Sequence, residues 1–375
     1  MSKVIQIILV IYLVSITVLN IRSFVIIWRE NPKHFQLGGD SGRYIKGAQR
    51  LLAGKNLDYS QQSYIGYLGL VAFALVLNIG NSGVVLIQSL IYIFSACCTY
   101  YFINKYLNNR IVASIAALLF LTSFEILKWS TYILPDAFYT CALLIFSLVS
   151  VFTPNSVRKV FFSFILALIC ALIRPNGFIV LIGWILFVLL PNIKNSRFWI
   201  LGFSALIITF ILVTNLATNA QKRQIYEFSR NGEVIWSYRE LILSVPEPVH
   251  PIKSPLDLIE YTFSHPIVFM RLAILKIVVE TFRIRPYLPA NFNLFLLIYL
   301  LPIYYLALRG WTNHLCHLRN SILIFLILSH LIFVGLTYSD WDGRFLVHVL
   351  PLIFIYTAVG VAHYLQPVRP VNKLH

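Results

Sequence analysis

The chain has 375 residues, 59% hydrophobic and only 12% charged, with a mean hydropathy of +0.78. A soluble domain needs far more polar surface, so the composition excludes one and points to a single domain built into a membrane. The net charge of +16 does not call for nucleic acid, because the basic residues are dispersed between apolar runs and form no stripe; loops retained in the cytoplasm explain the excess.

The apolar runs are 4–27, 64–79, 83–104, 110–125, 135–153, 159–173, 177–191, 197–217, 266–282, 291–308, 320–338 and 345–364. They are of helical length, near the ~20 residues that cross a bilayer, and the short alternating segments of a membrane barrel are absent. The first run follows Lys3 without a small-x-small cleavage site and reads as an uncleaved span. Cys97, Cys98, Cys141 and Cys170 fall in apolar runs and Cys316 in a basic loop, so no disulfide framework is expected.

If every run crossed, with the N-terminus inside, Lys105, Arg110, Arg158, Lys159, Lys194 and Arg197 would lie outside, against the positive-inside tendency. One change repairs all three loops. Run 64–79 is short, holds Gly66 and Gly69, and starts among Gln61, Gln62 and Ser63, so it is expected to lie at the interface. Run 266–282, with Arg271, Lys276 and Glu280 followed by Arg283 and Arg285, is placed at the outer surface by the same logic. That returns Arg309, Arg319, Arg369 and Lys373 to the inside. The expected fold is an all-α polytopic membrane protein, one domain over 1–375, with about ten transmembrane helices and cytoplasmic termini. Its outer loops are 28–82, with interfacial helices, and 218–290, with another. No internal repeat appears, and the spans hold almost no charge, which disfavours a lipid or polysaccharide transporter.

With only 14 acidic residues in the chain, those beside outer-face loops stand out. In Gly38-Gly39-Asp40-Ser41-Gly42-Arg43-Tyr44, Asp40 or Ser41 would cap a short helix ending at Gly54. Asp40 reads either as that cap or as a general base toward an acceptor hydroxyl. Tyr44, Ala48, Leu51 and Leu52 share a face suited to the membrane surface, and Arg43 is expected to face headgroups. Pro135-Asp136 opens a span. Asp136 is a helix-start acid or a second acid that, with Glu125, shapes a donor site or holds a divalent cation. Lys128 is a phosphate contact or a snorkelling lysine. Arg174, in Arg174-Pro175-Asn176-Gly177, sits where positive charge is disfavoured, and phosphate pairing would explain it. In Asp340-Trp341-Asp342-Gly343-Arg344-Phe345, Arg344 would hold phosphate with Asp342 orienting it, or form a local ion pair of little worth. The aromatic residues of 218–290 (Tyr226, Phe228, Trp236, Tyr238, Tyr261, Phe263) read as interfacial. His314-x-Cys316-His317 lacks a fourth ligand for a metal site. Walker, dinucleotide and His-Glu-x-x-His motifs are absent.

Taken in order, these motifs resemble the GT-C superfamily of membrane glycosyltransferases, near its protein-mannosyltransferase and aminoarabinose-transferase branch. Asp40-x3-Tyr44-x3-Ala48-x2-Leu51-x2-Gly54 resembles the first-outer-loop signature, and 64–79 that loop's second interfacial helix. Pro135-Asp136 falls where the family has a second acid, Arg174 matches a basic residue between middle spans, and Arg344-Phe345 with Pro351 resembles the motif opening the last core span. Gln61-Gln62-Ser63-Tyr64 replaces the expected Pro-Pro element, and the second loop has no Asp-x-Asp. The resemblance implies a polyprenyl-phosphate sugar donor, a lipid, glycan or protein acceptor, and inversion. Asp40 would be the base, Arg174, Arg344 and Lys128 phosphate contacts, and Tyr44 and Asp342 supporting residues. The site would face outward from the inner membrane. A polymerase or ligase of lipid-linked glycans is the alternative enzyme; it would depend on Arg230 and Arg239.

Overall fold

A computed structural model describes residues 3–30, 35–153, 156–192, 202–212, 214, 231–236, 238–246, 255–314, 321–340 and 342–365. These residues are mainly helical, in the elements α1 (Lys3–Glu30), α2 (Ser41–Leu52), α3 (Tyr59–Gln62), α4 (Ile65–Val76), α5 (Gly80–Leu107), α6 (Arg110–Thr122), α7 (Phe124–Ser130), α8 (Pro135–Phe152), α9 (Val157–Ile173) and α10 (Phe178–Trp184). After α10 follow α11 (Gly202–Leu212), α12 (Pro255–Ser264), α13 (Pro266–Phe282), α14 (Ala290–His314), α15 (Ser321–Leu336) and α16 (Arg344–Leu365). The all-α expectation has one exception, a two-stranded antiparallel hairpin of β1 (Glu233–Ile235) and β2 (Tyr238–Ile242).

Local chemistry explains the helix ends. Asn108 closes α5 in the left-handed region (φ 48), and the Asn109 side chain accepts from the Ile111 and Val112 amides to start α6. Pro135 and Pro266 occupy first turns, where a missing N–H costs nothing. Pro175 stops α9 by holding Arg174 extended (φ −144, ψ 147). The break at Ser123 bends α6 from α7 by 53°.

Four helices, α5, α8, α14 and α16, are long and apolar enough to cross a membrane among the described residues, or five if the bent pair α6–α7 is one span. The chain is thus helical with several membrane-length apolar helices. Helix α4 has 12 residues, about 18 Å at helical rise, which is short of a ~30 Å hydrocarbon core. Helix α16 lies at the centre, with 100% of its most apolar stretch buried. It packs on α6, α8, α14 and α15. Exposed Leu86, Leu90, Ile93, Phe94, Phe161 and Phe162 form the outer surface a bilayer would solvate. Run 197–217 is described only in part, and the tail with Arg369 and Lys373 lies outside the described residues.

Candidate active site

The first loop reaches the bundle through backbone pairing. The Gln36 amide donates to the Thr131 carbonyl at 2.9 Å, and the Ile133 amide donates to Gln36 at 3.2 Å. This strap lies between α7 and α8, so it brings residues 36–44 beside Asp136. Close by, the Gly38 amide donates to Ser41 Oγ at 2.9 Å.

Asp40 occupies the N-cap position of α2, but its side chain makes no capping bond. Its carboxylate instead meets Arg43 Nη2 at 3.2 Å and Arg344 Nη2 at 3.5 Å, with 36% of the side chain exposed. The capping reading is therefore corrected: two guanidinium groups hold the carboxylate away from the helix N–H groups. Arg43 is corrected as well. It lies over the rings of Tyr44 (5.1 Å) and Tyr64 (5.4 Å), facing inward. Burial works against its charge, but Tyr44, Tyr64 and Asp40 outweigh it, and the Arg43 pKa rises above its ordinary value. Tyr44 is fully buried between Tyr64 and Tyr67, edge-on to both, and burial raises its phenol well above the usual range.

Arg344, at the start of α16, joins this loop to the other end of the chain. Its Nε donates to Asp340 Oδ1 at 3.1 Å. Burial pushes the Asp340 carboxyl up, with Arg344 opposing. The expected Asp342–Arg344 orienting pair does not form; Asp342 accepts from Lys128 Nζ at 2.8 Å, and Asp340 takes the orienting role. A turn permits this exchange: the Asp342 amide donates to Asp340 Oδ2 (3.1 Å) and the Gly343 amide to the Asp340 carbonyl (3.1 Å). Gly343 is left-handed (φ +63), and a Cβ there would strike the Arg283 guanidinium. Arg283 itself pairs with Glu125.

Below lies a buried group. Asp136 pairs with Arg174, and His348 Nε2 lies 2.8 Å from Arg174 Nη1 and 3.1 Å from Asp136 Oδ1. Asp136 is thus more than a helix-start acid.

Two assemblies result. Asp40, Arg43, Tyr44, Arg344 and Asp340 join Asp136, Arg174 and His348 in one, where Arg344 and Asp136 attract across the gap. Glu125, Arg283, Lys128 and Asp342 form the second, attached through the 340–343 turn. Glu125 and Asp136 are each taken by a guanidinium, and no group of three or more metal-binding side chains occurs among the described residues, so their arrangement does not fit a shared cation. Cys316 and His317 lie outside the described residues, as does Arg230, while Arg239 is exposed on β2.

Sequence reasoning missed His348, Asp340's role and the Glu280–Arg285 pair (2.9 Å). Arg285 also donates to Ser339 Oγ at 3.0 Å and to the Asp340 carbonyl at 2.8 Å. Ser339 in turn bridges to β1, its amide donating to Val234 at 3.1 Å and its carbonyl accepting from Trp236 at 2.9 Å. One signal was available for His348. It stands four residues after Arg344, on the same face of one helix. No family model and no curated protein matches the chain.

Proposed function

We propose that the chain is a membrane glycosyltransferase moving a sugar from a polyprenyl-phosphate donor to an acceptor hydroxyl. The supporting observation is the meeting of Asp40 and Arg344 at 3.5 Å, from opposite ends of the chain, with both side chains partly exposed and Arg344 also drawn toward buried Asp136, the partner of Arg174. An acid and a guanidinium held side by side at a loop edge are what a sugar phosphate and an attacking hydroxyl need.

Each cation nominated for phosphate has a carboxylate partner: Arg174 has Asp136, Lys128 has Asp342, and Arg344 has Asp40 and Asp340. A donor phosphate therefore enters by substitution. The Asp40–Arg344 contact is the longest of these and the most exposed, so it yields first. Arg344 then forks onto phosphate while Asp340 holds it from behind. The freed Asp40 lone pair accepts the acceptor's proton as the hydroxyl oxygen attacks the anomeric carbon. The carbon–oxygen bond to phosphate breaks, its electron pair leaves with the polyprenyl phosphate, and attack opposite the leaving group inverts the centre. Arg344 and Arg174 stabilise the charge that develops on that leaving group.

In this reading about ten helices cross the inner membrane, the termini are cytoplasmic, and the site opens outward, with α2–α4 and α13 at the interface. The acceptor is a lipid, a glycan or a protein. The Asp40→Asn variant tests the assignment in purified protein supplied with a polyprenyl-monophosphate sugar. Transfer is expected to fall by roughly 10²–10⁴-fold at unchanged expression; wild-type turnover would remove Asp40 as the base. Preference for a diphosphate-linked glycan would favour the polymerase or ligase instead.

A further inference from the structure

The hydrogen-bond inventory of the buried group is not closed by ordinary pairing. Arg174 only donates and an ionised Asp136 only accepts. His348 Nε2 touches both, at 2.8 Å from Arg174 Nη1 and 3.1 Å from Asp136 Oδ1. One ring nitrogen cannot donate to the acid and accept from the guanidinium at once. The shorter contact assigns Nε2 as an acceptor from Arg174, so the proton sits on Nδ1. Asp136 Oδ2, Arg174 Nε and His348 Nδ1 are all buried without a hydrogen-bond partner among the described residues.

We propose that neutral His348 is a positioning residue: its Nε2 holds the Arg174 guanidinium against Asp136 in the orientation that presents the arginine to the donor phosphate, and protonation of the ring undoes this. A proton on Nε2 removes the acceptor and sets a second cation against Arg174. Asp136 must then divide itself between two cations, and Arg174 turns. The imidazole is 0% exposed and locked. Tyr139 of α8 stands edge-on at 5.0 Å, His330 of α15 at 5.1 Å, and Phe345 at 6.2 Å.

The charged and titratable groups around the ring are few. Helix α8 contributes Asp136 and Tyr139, the turn after α9 contributes Arg174, and α15 contributes His330. On α16 itself Arg344 lies one turn earlier. His330 Nε2 lies 2.7 Å from the Phe345 carbonyl and donates to it. Among the described residues no second carboxylate pairs with His348, so a proton on its ring has only the already engaged Asp136 to answer it. One face of α16 therefore carries both halves of the anion site: Arg344 at the mouth and, a turn deeper, the residue that sets Arg174.

This inference rests on the transferase reading only for the identity of the anion. The test uses full-length protein in lipid nanodiscs, with polyprenyl phosphate as the binding probe and sugar transfer as the second readout, from neutral pH down to the lowest pH at which the protein stays folded, because the ring is buried beside a cation. Two variants separate acceptor from bulk. His348→Gln keeps an acceptor but cannot protonate, and His348→Phe keeps the ring without an acceptor. Wild type is expected to lose affinity on the acid side. His348→Phe should weaken binding about tenfold or more at neutral pH, raising KM more than it lowers kcat. His348→Gln should recover most of that loss and flatten the acid limb. Wild-type affinity in His348→Phe, or a wild-type acid limb in His348→Gln, overturns the proposal. If the wild-type chain binds and transfers nothing, the transferase reading falls by itself. Thermal unfolding against pH then decides: an acid-side loss of stability that is absent from His348→Gln supports the proposal, and superimposed profiles overturn it.

Discussion

Arg174 and Asp136 are buried partners, and their stability consequence differs from that of Asp40 and Arg344. Cutting a buried pair strands a charge in a low dielectric, so Arg174→Ala should destabilise by about 3–5 kcal/mol. The partly exposed Asp40 pair is worth about 1 kcal/mol or less. Asp40→Asn should therefore lose activity at near wild-type melting temperature, whereas Arg174→Ala should lose both. Equal melting temperatures for the two variants would contradict the burial described for Arg174. Asp40, Asp136, Arg174 and Arg344 were legible as residues because charge is scarce in an apolar chain. Their partners were not legible. Asp342 and Asp340 stand two residues apart, and only the turn at Gly343 decides that Lys128 receives one and Arg344 the other.

At the scale of elements, the short helix α4 sits where it does because Gly66 lets it close on α9. A Cβ at Gly66 would lie 2.9 Å from the Leu172 carbonyl carbon and 3.0 Å from its oxygen, just before Arg174. Gly66→Val should push α4 outward at a cost of about 1–3 kcal/mol and move Tyr64 and Tyr67 with it. Donor KM should rise although no charged group has changed; an unchanged KM and melting temperature would mean α4 does not shape the site. Helix α13 offers a second check. Lys276 Nζ donates to the Thr337 carbonyl at 2.7 Å, and burial lowers its pKa from 10.5 to about 8, with Glu233 opposing. Because the folded value is the lower one, the unfolded chain binds more protons between the two, and stability rises with pH through that window. Full deprotonation is worth about 3 kcal/mol. The wild-type melting temperature should climb from about pH 8 to 10.5, and Lys276→Met should be flat across the same range. A parallel climb in the variant would exclude Lys276 as its source. Helix ends at Pro135 and Pro175 were readable from sequence, since the missing proline N–H acts within a few residues. The hairpin was not, because its three-residue first strand is held by pairing with Ser339.

For the whole molecule, the proposed topology has a direct test. In a background with the native cysteines replaced by serine, Lys55→Cys should react with an impermeant maleimide in intact cells, and Asn108→Cys only after the cells are opened. Both positions are exposed on the protein; the reverse pattern would invert the outward-facing site. The sequence alone determined that the chain is helical with several apolar helices of membrane-spanning length, because hydropathy over some twenty residues is a local property that lipid reads directly. It also determined which few charges stand out, because charge in so apolar a chain is costly wherever it occurs. Tertiary structure decided the pairings. Asp40 pairs with Arg43 of its own helix and with Arg344 from the far end of the chain, Arg43 turns inward over two tyrosines, and His348 joins Asp136 and Arg174. The Arg344 and His348 contacts depend on elements distant in sequence meeting at α16, and no local pattern encodes a contact between residues that only packing brings together.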